Sequence, residues 1–334
     1  MRLRFISRVT AHLALLFLLA SLVPAAGAVP DVVRVTFQPF QSNGALFIAD
    51  REGYFAAEGI QIRWVPLTSV EMIPILTQGQ LDVGAGALSA AFFNVVAAGQ
   101  KVRLVADKGH ASGRGTVGSL VVRKSLADTV RSIEHLRNRK IAVSGAGSLS
   151  HYALARALAG ARLSLDAVTV VFMPLPDAVA ALHGGSIDAA LLPVPLDTLA
   201  VETGAAAKFL DMAELVPGEP TAFLIYGPTF LEQNRNLGTR FIVAYLRGVR
   251  RYNEGPTPRN ITTVAEYTKI DVAVLRKSGW IGIHLDGFID VGKLRRYQDW
   301  LYEIGLIGVR SPMSAVADPS FAEAARTTLG LPGR

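Results

Sequence analysis

The stretch Ser144-Gly-Ala-Gly-Ser-Leu-Ser150 combines residue types and a spacing that could do chemistry. Glycines let a ligand approach the backbone, and serine hydroxyls both donate and accept hydrogen bonds. It follows the apolar run Lys140 to Val143 and precedes a helical pattern from about Leu149 to Gly160. Free amides at that helix start would favour an anion or a polar head group. Two nucleotide chemistries fail on single residues. A phosphate loop needs lysine before Ser or Thr, and the dinucleotide fingerprint needs glycine where Ser150 stands and an acid where Met173 and Pro174 are found. What remains is an anion or polar-head site made from helix-start amides with Ser144 and Ser148.

Four further stretches follow buried runs in the same way. Val32 to Phe37 reads as a strand, and the polar turn after it brings Phe40, Gln41 and Asn43 to the strand's carboxyl end, where open α/β sheets bind ligands. Gly84-Ala-Gly-Ala87 is a low-bulk turn into a helix from Leu88 to Ala98, so Gly86 and Ala87 would admit a ligand close to the backbone. Val102 to Ala106 is a strand followed by a basic loop to Gly115, from which Lys108, His110 or Arg114 could close over an anion. Ala189 to Leu192 leads to Pro193-Val-Pro195, which lacks amide donors and would contact a ligand through shape and carbonyls. Asp197 either caps the next helix or meets a cationic ligand group. Tyr226, ending the run Thr221 to Tyr226, would add an aromatic wall. His110 has no second histidine or carboxylate at ligand spacing, so no metal is expected. No nucleophile, base and orienting group stand at motif spacing, which fits binding without a cofactor rather than catalysis.

The elements that position these residues are written twice. Ile75 to Gly84 and Ala181 to Ala190 each read as an apolar helix closed by glycine, a turn carrying aspartate, and a buried strand. Gly79 pairs with Gly185, Asp82 with Asp188, and Glu71 with Asp177. Two copies imply two similar lobes. The aspartates are expected to bond the turns' own backbone. Thr68 and Glu71 are spaced for a capping box.

Residues 1–28 read as a leader: Arg2, Arg4 and Arg8, an apolar run to Val23, then the small residues Ala26-Gly27-Ala28. Its three arginines bring the formal charge of +7 down to about +4 in the remainder, too mild to suggest a nucleic-acid partner. The chain has no cysteine, which excludes a disulfide framework, a thiolate metal site and a cysteine nucleophile. Export to the periplasm is expected.

Gly53-Tyr-Phe-Ala-Ala-Glu-Gly-Ile-Gln-Ile-Arg-Trp64, followed by a helix ending Leu76-Thr-Gln-Gly-Gln-Leu-Asp-Val-Gly84, resembles the periplasmic solute-binding proteins of the nitrate, sulfonate, taurine and thiamine-precursor group. The resemblance runs through most of the chain. It implies an α/β fold of the type II periplasmic binding protein class, with two Rossmann-like lobes joined by two crossover strands. Ser119 to Arg123 would cross into the second lobe and Thr221 to Tyr226 would return, which divides the chain into 1–28, 29–120 plus 224–334, and 121–223. Closure about such crossings needs only a few residues to change dihedrals. The resemblance also implies a small-molecule ligand, an ABC transporter permease as partner and a monomeric state. It implies that Thr229 to Asn253 and Leu294 to Ile307 pack on the outside of a lobe. Two other uses of the cleft are a ligand sensor and a thiamine-pyrimidine-synthase-like enzyme, the latter opposed by the leader and the missing cysteine. Trp280 is either packing or part of a ligand wall.

Overall fold

The computed structural model describes residues 29–69, 71–111 and 117–332. The leader at 1–28 and Arg114 lie outside the described residues. Ten strands follow in chain order: β1 (Asp31–Phe37), β2 (Ile60–Pro66), β3 (Val83–Gly86), β4 (Arg103–His110), β5 (Gly118–Arg123), β6 (Lys140–Val143), β7 (Thr169–Phe172), β8 (Ala189–Pro193), β9 (Ala206–Asp211) and β10 (Pro220–Tyr226). They form two five-stranded sheets, ordered β2-β1-β3-β10-β4 and β7-β6-β8-β5-β9. The protein is a two-lobed mixed α/β structure.

In each sheet four strands run parallel and one comes back against them. β1 pairs in parallel with β2 and β3, while β10 is antiparallel to β3 and β4. β6 pairs in parallel with β7 and β8, while β5 is antiparallel to β8 and β9. The ladders place β5 wholly in the second sheet and β10 wholly in the first. The chain therefore changes lobe between 110 and 118 and again between 211 and 220, not inside either strand as the division at 120/121 and 223/224 had it.

Helices cover both faces of the first sheet, which is why its inner strands are continuous apolar runs. Along β10, Phe223 and Ile225 face one buried cluster and Leu224 and Tyr226 the other, following the alternation of side chains in a strand. On the second face the helix Arg235–Tyr252 crosses the helix Gly44–Arg51 so closely that a Cβ on Gly248 would lie 2.3 Å from the Ala45 carbonyl oxygen.

The helix Val291–Glu303 departs from expectation. Its apolar face, with Leu294, Tyr297 and Leu301 buried, joins a cluster containing Leu88 and Phe92 of the first lobe and Leu120, Ile141 and Tyr152 of the second. It packs between the lobes because its aromatic stripe has apolar surface on both sides to cover. Among the described residues no helix is long and apolar enough to cross a membrane.

Candidate functional site

The parallel strands of both sheets end toward the seam between the lobes, so the loops after β1, β3 and β4 face those after β6 and β8. The contact across the seam is tight. Gly147 has φ 64°, and a Cβ there would lie 3.1 Å from Ala90 Cβ and 2.8 Å from Leu301 Cδ2. The serine turn of the second lobe thus rests against the start of the first-lobe helix Ala90–Ala97. Tyr297 Oη donates to the Gly147 carbonyl and lies 3.5 Å from the Leu88 carbonyl oxygen.

On the second-lobe side the hydroxyls form one chain. Ser148 caps the helix Leu149–Gly160, its Oγ accepting from the His151 amide at 3.2 Å. Ser150 Oγ lies 3.0 Å from both Ser148 Oγ and Ser144 Oγ and also accepts from the Ser144 amide at 3.0 Å. Ser144 is exposed and Ser148 buried. Of the two, Ser144 is the one open to a solute.

On the first-lobe side the expected residues divide. Phe40 is half-buried and reaches across to pack against the second lobe's core. Gln41 and Asn43 are fully buried and turn inward. Gln41 Nε2 donates to the Gly279 carbonyl at 2.8 Å, while its Oε1 is buried without a partner. Asn43 Nδ2 donates to the Gln38 carbonyl at 2.7 Å, and its Oδ1 accepts from Lys108 Nζ at 2.8 Å. Lys108 Nζ also donates to Ser42 Oγ at 3.0 Å. The strand expected to stop at Ala106 runs on to His110, so Lys108 stands inside β4 at 1% exposure instead of on a loop. Burial brings its ammonium down to about 7, against the pull of the Asp107 charge. Two acceptors suit a neutral amine, which has two N–H groups to give.

Gly86 is buried, and a Cβ on it would come within 2.8 Å of Met72 Cε; Ala87 beside it is half-buried. Gln38, which sequence reasoning passed over, donates to the Leu67 carbonyl and Ser69 Oγ at 3.1 and 3.2 Å and ties the ends of β1 and β2 together. The capping box is present, with the Thr68 amide and hydroxyl both donating to Glu71 Oε2.

Two expected residues have internal roles. Asp197 is buried, its Oδ2 accepting from Ser119 Oγ at 2.8 Å and its Oδ1 from the Thr198 amide at 2.6 Å. Burial raises its pKa, and these hydrogen bonds oppose the rise. It sits in the first turn of the helix Leu196–Glu202, where Pro195 and not Asp197 is the cap. Pro193 ends β8 opposite Gly118. Tyr226 is not brought to the seam. Because β10 is antiparallel, Tyr226 pairs with Val83 at the far end of β3, and its Oη donates to the Gly238 carbonyl at 2.7 Å inside the first-lobe core. The end of β10 at the seam carries Pro220 and Thr221, and Thr221 Oγ1 is buried without a partner. With Leu88, Leu149, Tyr152, Glu219 and Tyr297 it surrounds a cavity of only ≈ 10 Å³, room for one water at most. The lobes are closed on each other here.

His110 stands apart from the serine turn. Its ring stacks on His284, with centroids 3.9 Å apart and planes at 10°, and its Nδ1 lies 3.1 Å from Asp107 Oδ2. The three side chains place a donor atom each within 4.8 Å of one another. No spacing in the sequence pairs residue 284 with 107 and 110; the segment 279–287 folds back over the end of β4. Both rings line a cavity of ≈ 680 Å³ together with Trp280 and Asp286. Trp280 stacks on Tyr252 at 4.6 Å and lines that cavity.

Residues 42–257 match a family model described as NMT1/THI5 like. No curated protein matches the chain in sequence. Among solved structures, the alkanesulfonate-binding protein SsuA from Xanthomonas axonopodis pv. citri, bound to MOPS, superposes with a TM-score of 0.69 at 18% identity over 87% of this chain and 99% of that one. The periplasmic nitrate-binding protein NrtA from Synechocystis PCC 6803 gives 0.74 at 12% identity over 91% and 90%. The desulfurization enzyme DSZB gives 0.66 at 16% identity over 90% and 99%.

Proposed function

The chain belongs to the NMT1/THI5-like family, and from that premise we propose that it is an exported solute-binding protein of an ABC importer. It captures a small polar, anionic organic solute of the sulfonate, nitrate, aromatic-acid or pyrimidine type between the lobes and presents it to the membrane permease. The observation that carries this reading is the seam itself: hydroxyls and helix-start amides of Ser144 to Ser150 on one side, the small-residue turn from Gly86 to Ser89 on the other. Donors on one lobe and close backbone on the other suit an anion held by both. Sulfonate and nitrate binding by the superposable proteins SsuA and NrtA supports the solute class.

The closed seam defines the mechanism. A solute touching both lobes binds the closed state more tightly than the open one, and only that difference moves the equilibrium. Entry requires the lobes to part. A monomer in the periplasm, released from its leader at residue 28, completes the proposal.

A thermal-shift screen of the purified protein over sulfonates, nitrate, aromatic carboxylates and pyrimidines tests it. A rise in melting temperature with anions is expected. A response to uncharged compounds alone would overturn the anion reading of the serine turn. Gene deletion separates transport from sensing: lost uptake supports an importer, and intact uptake with lost induction supports a sensor. A second, catalytic reading draws on the likeness to DSZB. Turnover of an aryl sulfinate by the purified protein would establish it.

A further inference from the structure

We propose that Asp107, His110 and His284 form a binding site for a divalent transition cation of the zinc class, with an open coordination position facing the cavity that both histidines line. The donor set has the right chemistry, since imidazole with one carboxylate suits a borderline cation that accepts nitrogen and oxygen together. The distances are close to those required. Two ligands on one tetrahedral cation with bonds of about 2.0–2.1 Å stand about 3.3 Å apart. Asp107 Oδ2 and His110 Nδ1 are 3.1 Å apart, and all three donors fall within 4.8 Å. The two rings stack nearly parallel with centroids 3.9 Å apart, so a cation in the plane of both requires rotation of one ring.

The cluster is also held in place. Asp107 is fully buried, and its carboxylate takes the His284 amide at 2.8 Å and the Gly109 amide at 3.1 Å. Its backbone amide donates to the Gly287 carbonyl and its carbonyl accepts from Tyr245 Oη, at 3.0 and 2.8 Å. The His110 amide donates to the Gly282 carbonyl at 3.0 Å. Backbone on both sides is therefore fixed by bonds that a bound cation would leave intact, which reduces the ordering cost of binding. The cavity of ≈ 680 Å³ reaches His110 and His284, and Asp286 on its wall adds negative charge at the approach. A cation entering there meets the two imidazoles first, and cavity water completes its coordination.

The three ligands are separate from the serine turn and the titration needs no solute, so this inference stands or falls apart from the solute proposal. The experiment uses tag-free protein lacking its leader, stripped with a chelator and titrated with Zn²⁺ or Co²⁺ with no solute present. One equivalent is expected, with a visible Co²⁺ absorption band of low-symmetry coordination. His110→Gln and His284→Gln are each expected to weaken the affinity at least 10-fold, within the range for loss of a ligand or its support. Should either variant fail to fold, the wild type answers by chemical protection. Zn²⁺ should then shield His110 and His284 from diethylpyrocarbonate while His135 and His183 react as before. No stoichiometric uptake, or uptake unchanged in both variants, overturns the proposal, as does uniform protection of all four histidines.

Discussion

Asp82 and Asp188 make the same attachment in the two lobes. Asp82 Oδ2 accepts the Arg34 amide of β1 at 2.8 Å, and Asp188 Oδ2 accepts the Lys140 amide of β6 at 3.0 Å, with 48 residues between donor and acceptor in each case. Each carboxylate also binds an arginine, Arg34 in the first lobe and Arg123 in the second. The attachment is stronger in the first, where Arg34 Nε and Nη2 grip both oxygens and Asp82 is 6% exposed in its side chain against 18% for Asp188. Both aspartates precede the start of a strand, at the end remote from the seam. Asp82→Ala should cost about 2–4 kcal/mol and Asp188→Ala about 1–2 kcal/mol, read from urea denaturation. Solute affinity should stay the same in both, and a changed affinity at unchanged stability would contradict a purely architectural role.

The crossing of the helices Gly44–Arg51 and Arg235–Tyr252 gives a second prediction. With the Ala45 carbonyl 2.3 Å and Ala49 Cβ 2.8 Å from where a Cβ would stand, Gly248→Ala forces backbone apart and not a flexible side chain. Helix propensity favours alanine by about 1 kcal/mol, but overpacking costs about 1–3 kcal/mol and should win. The measurement is the melting temperature, expected to fall.

Lys108 makes stability depend on pH. Its folded-state pKa is lowered to about 7 by burial, from 10.5 in the unfolded chain. Between those values the unfolded chain carries a proton that the folded one does not, so stability rises with pH across the window and is flat below it. The rise should be roughly 3 kcal/mol from pH 7 to pH 10. Lys108→Met should lack that rise and be the more stable protein at pH 7. Parallel pH curves for the two proteins would show that the amine keeps its ordinary affinity for protons.

The scaffold was legible because it is written twice and locally. Gly79 and Gly185 adopt φ values of 67° and 75°, which only glycine tolerates well, and the aspartates three residues on bond backbone as the turns demand. The serine turn was legible for the same reason, being a local glycine-rich helix start. What failed depended on tertiary direction. Tyr226 looked like the end of a strand at the site, and nothing in Thr221 to Tyr226 reveals that this strand runs antiparallel. Asn43 was grouped with the ligand candidates of its turn because its partner, Lys108, is 65 residues away. His284 joins His110 only because the segment 279–287 folds back over β4, and no period or spacing announces that.

The serine chain separates two roles that alanine substitution can distinguish. Ser148 is buried and caps a helix, so Ser148→Ala should cost about 1 kcal/mol of stability. Ser144 is exposed and caps nothing, so Ser144→Ala should weaken solute binding with the melting temperature unmoved. Calorimetric titration with the solute found in the thermal-shift screen makes the comparison. Equal affinities for wild type and Ser144→Ala would remove this hydroxyl from the site.

Tyr297 couples closure to binding. Its ring lies in the cluster shared by both lobes, and its hydroxyl donates to the second-lobe carbonyl of Gly147 while lying 3.5 Å from the first-lobe carbonyl of Leu88. Burial raises its pKa, so the proton needed for that bond stays in place at any physiological pH. When the lobes part, water can take over these carbonyls. When they close without the hydroxyl, the Gly147 carbonyl is buried unpaired, at a cost of about 1–2 kcal/mol. Tyr297→Phe keeps the ring and removes only the bond, so the penalty falls on the closed state alone. Apparent solute affinity should therefore drop about 5- to 30-fold, while the contacts to the solute are untouched. Small-angle scattering without solute should show a larger radius of gyration in the variant than in the wild type, and saturating solute should bring the two together. A variant that binds as tightly as the wild type would mean that closure does not depend on this hydroxyl.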